Sequence, residues 1–347
     1  IAAARAAYDA LTEEQKALVT NYAVLVAAEE AFAGILPNPG ITLTLNETID
    51  INFKTPEGMD ITGLTAKVWL GEEELDASRY SVAEDDGRLR GRYGVNSNKM
   101  FQDVTVQFFD ADGTPVTKAR TMSVRTYAET VLGRSTDVKT RTLLIQMLDY
   151  GALSQIKKGN DLDNLANNII TDTLRAEVEG YSWPASSGTA AETSGTKNDS
   201  GFSASLTLND TIDINFYTEK ANLENGNTVK VLCNGEATDN YSLELMDDGR
   251  YRVRYSVKSN RMCDLISVQI VDANGNPVKE ARTMSARGYA KTVLEKGTSP
   301  ELDRALLVAM LNYGTLSQLY KDNGTTDYAN RFLTAEMLQL LADYWKN

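Results

Sequence analysis

The chain predicts an α+β fold. It reads as a tandem repeat in which each copy is an antiparallel β-sandwich of Ig-like size followed by a small helical subdomain, with a short N-terminal helical hairpin in front. Three observations carry this reading. The first is repetition. Thr44–Phe53 (TLNETIDINF) returns as Thr207–Phe216 (TLNDTIDINF), Ala119–Ala128 (ARTMSVRTYA) as Ala281–Ala290 (ARTMSARGYA), and Met147–Gln155 (MLDYGALSQ) as Met310–Gln318 (MLNYGTLSQ). The spacing stays at 162–163 residues, which marks two copies of one folded unit and not a short-period solenoid. The second is a period of two at the start of each copy, and the third is a change to a period of 3.6 towards its end.

Residues 1–37 read as the hairpin. Ala2 to Leu11 is alanine-rich and favours helix. Thr12 is placed to cap the next helix, with Gln15 completing a capping box. Leu18, Tyr22, Leu25, Ala28 and Phe32 then form an apolar stripe that Gly34 and Pro37 end. Ile1 is not a natural start, which leaves room for an upstream helical partner and a targeting segment.

Residues 38–180 are the first copy. Leu43 and Leu45 alternate with Thr42 and Thr44, and Ile49, Ile51 and Phe53 with Asp50 and Asn52, as in strands with one wet face. Further strands are expected at Ala66–Leu70, Arg88–Val95, Val104–Phe109 and Lys118–Ser123. Asp86-Gly87, and Asp112-Gly113 followed by Pro115, mark the turns between them. Short strands with no helix between them argue for a sandwich over 40–123. Val124, Tyr127, Ala128 and Val131 share one helical face, and Leu144, Met147, Leu148 and Gly151 another; a third helix is expected over Asn164–Glu179, so helices fill 124–180. Residues 181–202, rich in Ser, Gly and Thr, read as a flexible linker or a loosely draped connection. The second copy covers 203–347, with its sandwich at 203–285 and helices at 286–347, the last near Thr334–Trp345.

Composition narrows the function. The chain has 347 residues, net charge −13 and no histidine. Phosphate backbones repel such a chain, so nucleic acid is excluded as a partner. No apolar run approaches the roughly 20 residues that span a bilayer. The lack of histidine removes Ser-His-Asp and Cys-His catalysis and His-ligated metals, leaving carboxylates, Lys and Tyr. Cys233 and Cys263 align with Leu70 and Phe101 of the first copy, which suggests buried free thiols; a disulfide between them is the alternative.

Candidate ligand contacts are Arg88, Arg90 and Arg92, repeated as Arg250, Arg252 and Arg254. At strand spacing they make one face cationic, suited to a sulfated or carboxylated glycan or an acidic partner. The competing reading is an outward face whose arginines pair across strands with Asp or Glu. Asp110-Ala-Asp112-Gly113 and Asp272-Ala-Asn274-Gly275 resemble the opening of a calcium loop, but the twelfth position is Thr121 or Thr283 instead of Glu, so hairpin turns are expected and no metal or cofactor is assigned. Gly151 and Gly314 lie inside helical patterns and are expected to admit another backbone. Tyr127, Tyr289, Tyr150 and Tyr313 are expected in the core or at a seam. Arg125 and Arg287 are placed to join strand ends to helices through a carboxylate. Of Trp69, Trp183 and Trp345, none recurs, and Trp183 is the one expected to be exposed. Asp50 and Asp213 recur on the polar strand face, but no facing carboxyl completes a glycosidase pair.

These residues resemble a module of secreted multidomain proteins of Gram-positive gut anaerobes. Its hallmarks stand here as Thr48–Phe53 and Thr211–Phe216, Asp248–Tyr251, Ser123–Ala128, and Ala309–Gln318. The departures are Leu89 where the second copy has Tyr251, and Ala286-Arg287-Gly288 in the third motif. Residues 4–30 resemble the end of a helical spacer repeat of such proteins. The resemblance implies an extracellular or cell-wall setting and carries no catalytic residues. The expectation is a non-enzymatic structural or adhesion segment meeting a glycan or a host or bacterial surface protein, with no membrane insertion. A carbohydrate- or glycoprotein-binding module is the alternative, and an Asp/Glu-dependent hydrolase comes last.

Overall fold

A computed structural model describes residues 1–45, 47–185, 192–208, 211–321 and 324–346. Helix and sheet are mixed, and four antiparallel sheets are present. The chain falls into two compact units: Ile1–Thr44, Asp50–Gly94 and Gln102–Val124 form one, and Leu45–Ile49, Val95–Phe101 and Arg125–Asn347 the other.

The first unit opens with α1 (Ala2–Asp9), α2 (Glu13–Lys16) and α3 (Tyr22–Ile35). The Thr12 capping box forms: its hydroxyl accepts from the Gln15 N–H, and its own N–H donates to the Gln15 side chain. Arg5 donates to both carboxylate oxygens of Glu29, and Tyr8 stacks on Tyr22 at 4.3 Å. The strands follow as β1 (Gly40–Thr44), β2 (Asp50–Lys54), β3 (Thr65–Leu70), β4 (Glu73–Glu74), β5 (Ser81–Asp85), β6 (Arg88–Gly94), β7 (Val104–Phe109) and β8 (Arg120–Met122). They form sheets of order β1-β2-β6-β5 and β4-β3-β7-β8. Ile51 and Phe53 of one sheet and Val68, Val106 and Phe108 of the other are fully buried. Gly91 faces the other sheet, where a Cβ would stand 3.6 Å from Val106 and 3.7 Å from Ala66. The Tyr80 hydroxyl donates to the Ala66 carbonyl of β3 at 2.9 Å, tying the end of the β5 edge to the other sheet.

The second unit contains α4 (Val124–Leu132), α5 (Val138–Lys158), α6 (Asp172–Glu179), β9 (Thr193–Ser194) and α7 (Lys197–Ser200). Its strands are β10 (Phe202–Thr207), β11 (Asp213–Glu219), β12 (Thr228–Cys233), β13 (Glu236–Ala237), β14 (Ser242–Leu245), β15 (Arg250–Ser256), β16 (Ile266–Val271) and β17 (Arg282–Met284). The helices α8 (Ala286–Lys296), α9 (Glu301–Lys321) and α10 (Ala335–Tyr344) complete it. The sheets run β10-β11-β15-β14 and β13-β12-β16-β17-β9, so corresponding strands stand in corresponding order in the two sequence copies. Phe202, Ile214, Phe216 and Val253 from the first sheet join Val229, Val231, Ile266, Val268, Ile270 and Met284 from the second in one buried cluster.

Three expectations change. The helix expected over Asn164–Glu179 begins only at Asp172, where Thr171 caps it by accepting from the Leu174 N–H. Ahead of it, Asn167 donates instead to the buried Asp149 carboxylate, which also takes two hydrogen bonds from Arg175 at 2.8 and 2.9 Å. Part of the connection is fastened. β9 pairs with β17, the Ser285 N–H donates to the Glu192 carbonyl, and the Glu192 carboxylate is held by Arg287 at 2.9 Å and Arg331 at 2.7 Å. Residues 186–191 of that stretch lie outside the described residues. The edge strands β5 and β14, together with the two-residue β4 and β13, escaped the sequence reading.

The centre of the second unit is the pair α5 and α9. Both helices are buried on nearly every side over their middle turns, from Thr142 to Gln155 and from Ala305 to Gln318. They run antiparallel, since Lys157 near the end of α5 meets Asp303 near the start of α9 at 2.7 Å, while Thr140 near the start of α5 meets Tyr320 near the end of α9. Midway, the rings of Tyr150 and Tyr313 stack at 6.2 Å. The Tyr150 hydroxyl donates to the Leu208 carbonyl at 3.0 Å, and the Tyr313 hydroxyl to the Leu45 carbonyl at 2.7 Å. Each helix of one copy therefore bonds the strand end of the other. Glu47 adds a further clamp, since its carboxylate takes Lys258 and Lys321 at 2.7 Å each. Those two ammonium groups hold its carboxyl down to about 2.

Gly151 admits the Ser97 backbone as expected, whereas Gly314 makes room for side chains, Met262 and Ala329, and not for a backbone. A Cβ on Gly151 would lie 2.6 Å from Met100 Sδ, 3.2 Å from the Ser97 carbonyl oxygen and 3.3 Å from Ala166. Gly151→Ala should therefore lose about 1 kcal/mol net, because overpacking outweighs the gain of about 1 kcal/mol that alanine brings to an exposed helix. A lowered urea midpoint at unchanged slope is the expected result. A depressed carboxyl stabilises the fold above its ordinary value, roughly 4.3, and loses that contribution as pH falls towards about 2. Glu47→Gln should flatten the acid limb of stability within that window and leave its shape unchanged above it, as read by chemical denaturation at stepped pH.

Candidate functional site

The repeated arginines sit on β6 and β15, at every second residue, so they share one face of their sheet. Their partners are acidic. On β15, Arg254 donates to Asp213 of β11 at 2.6 Å and Arg252 to Glu244 of β14 at 2.5 Å, while Arg250 pairs with Asp248 of the adjoining turn at 2.6 Å. On β6, Arg92 donates to Asp50 of β2 at 2.6 Å and Arg90 to Asp85 of β5 at 2.9 Å. Lys54 adds its ammonium to Asp85 at 2.7 Å. Arg88 has no ion pair among the described residues. Five of the six arginines therefore enter any ligand contact already paired with an acid.

The aspartates of the repeated motif are buried beneath these arginines. Asp213 is 0% exposed, and besides Arg254 it accepts from the hydroxyls of Ser256 at 2.6 Å and Thr211 at 2.5 Å. Asp50 is 4% exposed. In its copy Gly94 stands where Ser256 does, with room for a Cβ only 3.3 Å from the Asp50 carboxylate. Among the described residues, neither carboxylate has an ion pair or hydrogen bond that brings a second carboxylate against it. The neighbouring Asn52 and Asn215 donate to Thr44 and Thr207 at 3.1 and 3.0 Å, and the Asn215 side-chain amide oxygen is buried with no partner. Beside it Tyr217 carries the Arg250 guanidinium over its ring at 5.1 Å, a feature the sequence reading did not single out.

The other candidates resolve as follows. Asp110 accepts the N–H groups of Asp112 and Thr114 through one carboxylate oxygen, and Asp272 those of Asn274 and Asn276. Both are hairpin turns whose acid holds its own backbone. Arg287 is 1% exposed and grips Asp327 through two nitrogens at 2.6 and 2.8 Å. Burial alone would raise the Asp327 carboxyl, but Arg287 and Arg331 hold it below the usual carboxylate range. In the first copy Arg125 has no carboxylate partner among the described residues and donates instead to the Asn164 side chain and the Leu165 carbonyl. Both cysteines are free and half-buried; burial pushes the Cys263 thiol up to about 11. All three tryptophans are half-buried, Trp183 against the edge of Tyr181 and Trp345 beneath Arg175.

No protein-family model matches the chain, and no curated protein matches it. Among the described residues, no helix is long and apolar enough to cross a membrane.

The two kinds of arginine pair should separate in stability. Arg254→Leu strands the buried Asp213 charge with only two hydroxyls and should cost about 1–3 kcal/mol. Arg250→Ala breaks a pair in open solvent and should cost less than about 1 kcal/mol. Denaturant unfolding of the two variants side by side measures the difference.

Proposed function

We propose that this chain is a non-enzymatic structural or adhesion segment of a bacterial extracellular surface protein. Its two copies are each read as an antiparallel sandwich with a helical subdomain, over 38–180 and 203–347. The observation that carries the reading is where the repeated chemistry goes. The Asp–Arg pairs of the motif strands, the tyrosines of α5 and α9 and the helical glycines all bind other parts of the same chain. A duplicated catalytic set would leave at least one carboxylate or nucleophile turned towards a cleft, and the repeated carboxylates Asp50 and Asp213 are instead buried and paired with Arg92 and Arg254. The similarity of the TIDINF, SVRTYA and AMLNYG segments to secreted modules of Gram-positive gut anaerobes supports the extracellular setting.

A carbohydrate- or glycoprotein-binding role is the second reading. Tyr217, the ridge of Arg250, Arg252 and Arg254, and the unpartnered Asn215 oxygen favour it, because a ring edged by cations and an amide suits an acidic sugar. It applies to the second copy, since Lys54 stands in the place of Tyr217 in the first.

One experiment separates these. The purified chain is applied to an array of neutral, carboxylated and sulfated glycans at low salt, where charge contacts are strongest, and incubated in parallel with peptidoglycan and polysaccharides. The structural reading expects no specific binder and no release of reducing ends. A binder lost on Tyr217→Ala would put the second reading in its place, and turnover would overturn both.

A further inference from the structure

The sheets β1-β2-β6-β5 and β10-β11-β15-β14 each end on a strand that no other described strand pairs on its outer side. The two edges differ in a way that matters for binding. In the first copy, the edge β5 carries Val82 and Glu84 on the face shared with Gly91 and Leu89. In the second, the edge β14 carries Leu243 and Leu245 on the face shared with Val253 and Tyr251. Glu84 therefore puts a charge on the apolar face of its edge, one of the standard devices that stop an edge from accepting another strand. The second copy has Leu245 at that place. Leu243 is 43% exposed and Leu245 51% exposed, so β14 presents two adjacent leucines to solvent on its inward-facing side.

The backbone of β14 is presented as well. The Met246 N–H donates to the Arg250 carbonyl at 2.8 Å, closing the hairpin. In an antiparallel ladder the bonded residues alternate, so Glu244 and Ser242 turn their N–H and C=O groups towards β15. Leu243 and Leu245 turn theirs outward. The strand is held in place for this: Glu244 is fixed by Arg252, and the Tyr241 hydroxyl reaches the Val229 carbonyl of β12 at 3.5 Å. Exposed carboxylates flank the strand, Asp239 before it and Asp247 after it. Asp248 is paired with Arg250, but no ion pair among the described residues engages Asp239 or Asp247.

We propose that β14 is a strand-addition site that accepts an extended segment of a partner protein, with alternating apolar residues to lie on Leu243 and Leu245 and basic residues at its ends to meet Asp239 and Asp247. Main-chain bonds to Leu243 and Leu245 supply the pairing, and the alternating side chains supply selectivity. The flanking acids favour a cationic partner, steer its approach and set its register. A second copy of this chain is disfavoured as occupant, since each molecule carries a net charge of −13. The proposal goes beyond the structural reading and holds wherever the chain is located.

The probe is a labelled synthetic peptide, Lys-Val-Thr-Val-Thr-Val-Lys, titrated by fluorescence anisotropy into the full chain. Three comparisons accompany it: the same peptide with glutamates at its ends, the same peptide with its central Val replaced by Pro, and protein variants. Leu243→Pro removes an outward N–H without touching the ladder to β15, and the double variant Leu243→Ser with Leu245→Ser removes the apolar contact should the proline variant fail to fold. Val82→Pro makes the same change at the edge of the first copy. The expected result is binding of the lysine-ended peptide that weakens at least tenfold with either β14 variant, with the glutamate-ended peptide and with the proline-broken one, and that Val82→Pro leaves unchanged. Absence of binding to the unmodified chain, equal binding by a folded β14 variant, or equal binding of the proline-broken peptide would overturn the proposal. Dimerisation of the chain in sedimentation that Leu243→Pro abolishes would also overturn it, by making a second copy the occupant.

Discussion

Two tyrosine hydroxyls have to be satisfied in a place that water does not reach. Tyr150 and Tyr313 are 2% and 1% exposed at the middle of α5 and α9, and a buried hydroxyl without a partner costs about 1–3 kcal/mol. Each finds a carbonyl at the end of a strand that opens the other copy's repeated motif, Leu208 for Tyr150 and Leu45 for Tyr313. Ser154 and Ser317 approach the same carbonyls at 3.3 and 3.4 Å. This fixes more than a pair of bonds. A helix that slid by one turn would carry its tyrosine about 5.4 Å from the carbonyl, so the hydroxyls set the register of the helix pair. The register in turn brings Lys157 to Asp303 and Asn312 to Gln146. Gly151 and Gly314 belong to the same constraint, because they let the Met100 and Met262 side chains lie against the helices one residue beyond each tyrosine.

The sheets obey a second constraint of the same kind. A motif that alternates Asp, Ile, Asn and Phe sends its apolar members into the core and its polar members to the other face. Asp213 and Asn215 are nevertheless almost wholly covered, at 0% and 2% exposed. The long arginine stems of the neighbouring strand cover them, and a buried carboxylate is tolerable only when paired and hydrogen-bonded. The arginine ridge and the aspartates are thus one device: the strand with Asp needs the strand with Arg beside it, which contributes to fixing the pairing of β2 with β6 and of β11 with β15.

Much of this was legible in the residues, and what was not has physical causes. The alternation in β2 and β11 and the Thr12 capping box are local patterns, and the structure holds them. The stripe Leu144, Met147, Leu148 and Gly151 located one face of α5, yet Leu143, Ile145 and Leu153 are equally buried. A helix packed on all sides has no single stripe, and the partner that buries it, α9, begins far along the sequence at Glu301. The edge strand β5 was missed because its residues are exposed or nearly so on both faces, which leaves no burial contrast to shape the sequence. The stretch before α6 looked helical because its composition permits helix; Asn167 and Arg175 instead reach the buried Asp149, a demand that only the folded chain reveals. The arginine face was visible at its correct spacing, but whether it would greet a ligand or neighbouring acids depended on cross-strand register, which spacing alone does not determine.

The two copies are alike where they bind one another and unlike at their margins, and one residue shows how small a difference suffices. In the second copy the connection lies along β17, and Glu192 reaches Arg287 inside. A Cβ on Gly288 would stand 2.6 Å from the Glu192 Cβ and 2.8 Å from its carbonyl oxygen, so only glycine lets the segment lie there. The matching position of the first copy is Thr126, which is exposed, and the matching arginine, Arg125, bonds an asparagine and a carbonyl instead of a carboxylate. A segment placed like Glu192 would collide with Thr126 and find the arginine differently engaged. Single changes at the rim therefore decide which edge takes a strap, which is blunted by a charge such as Glu84, and which is left open with leucines at Leu243 and Leu245. Divergence at the margins can alter what each copy touches without disturbing the tyrosine bonds to Leu45 and Leu208 that hold the centre, because Gly288, Glu84, Leu243 and Leu245 bond neither of those carbonyls.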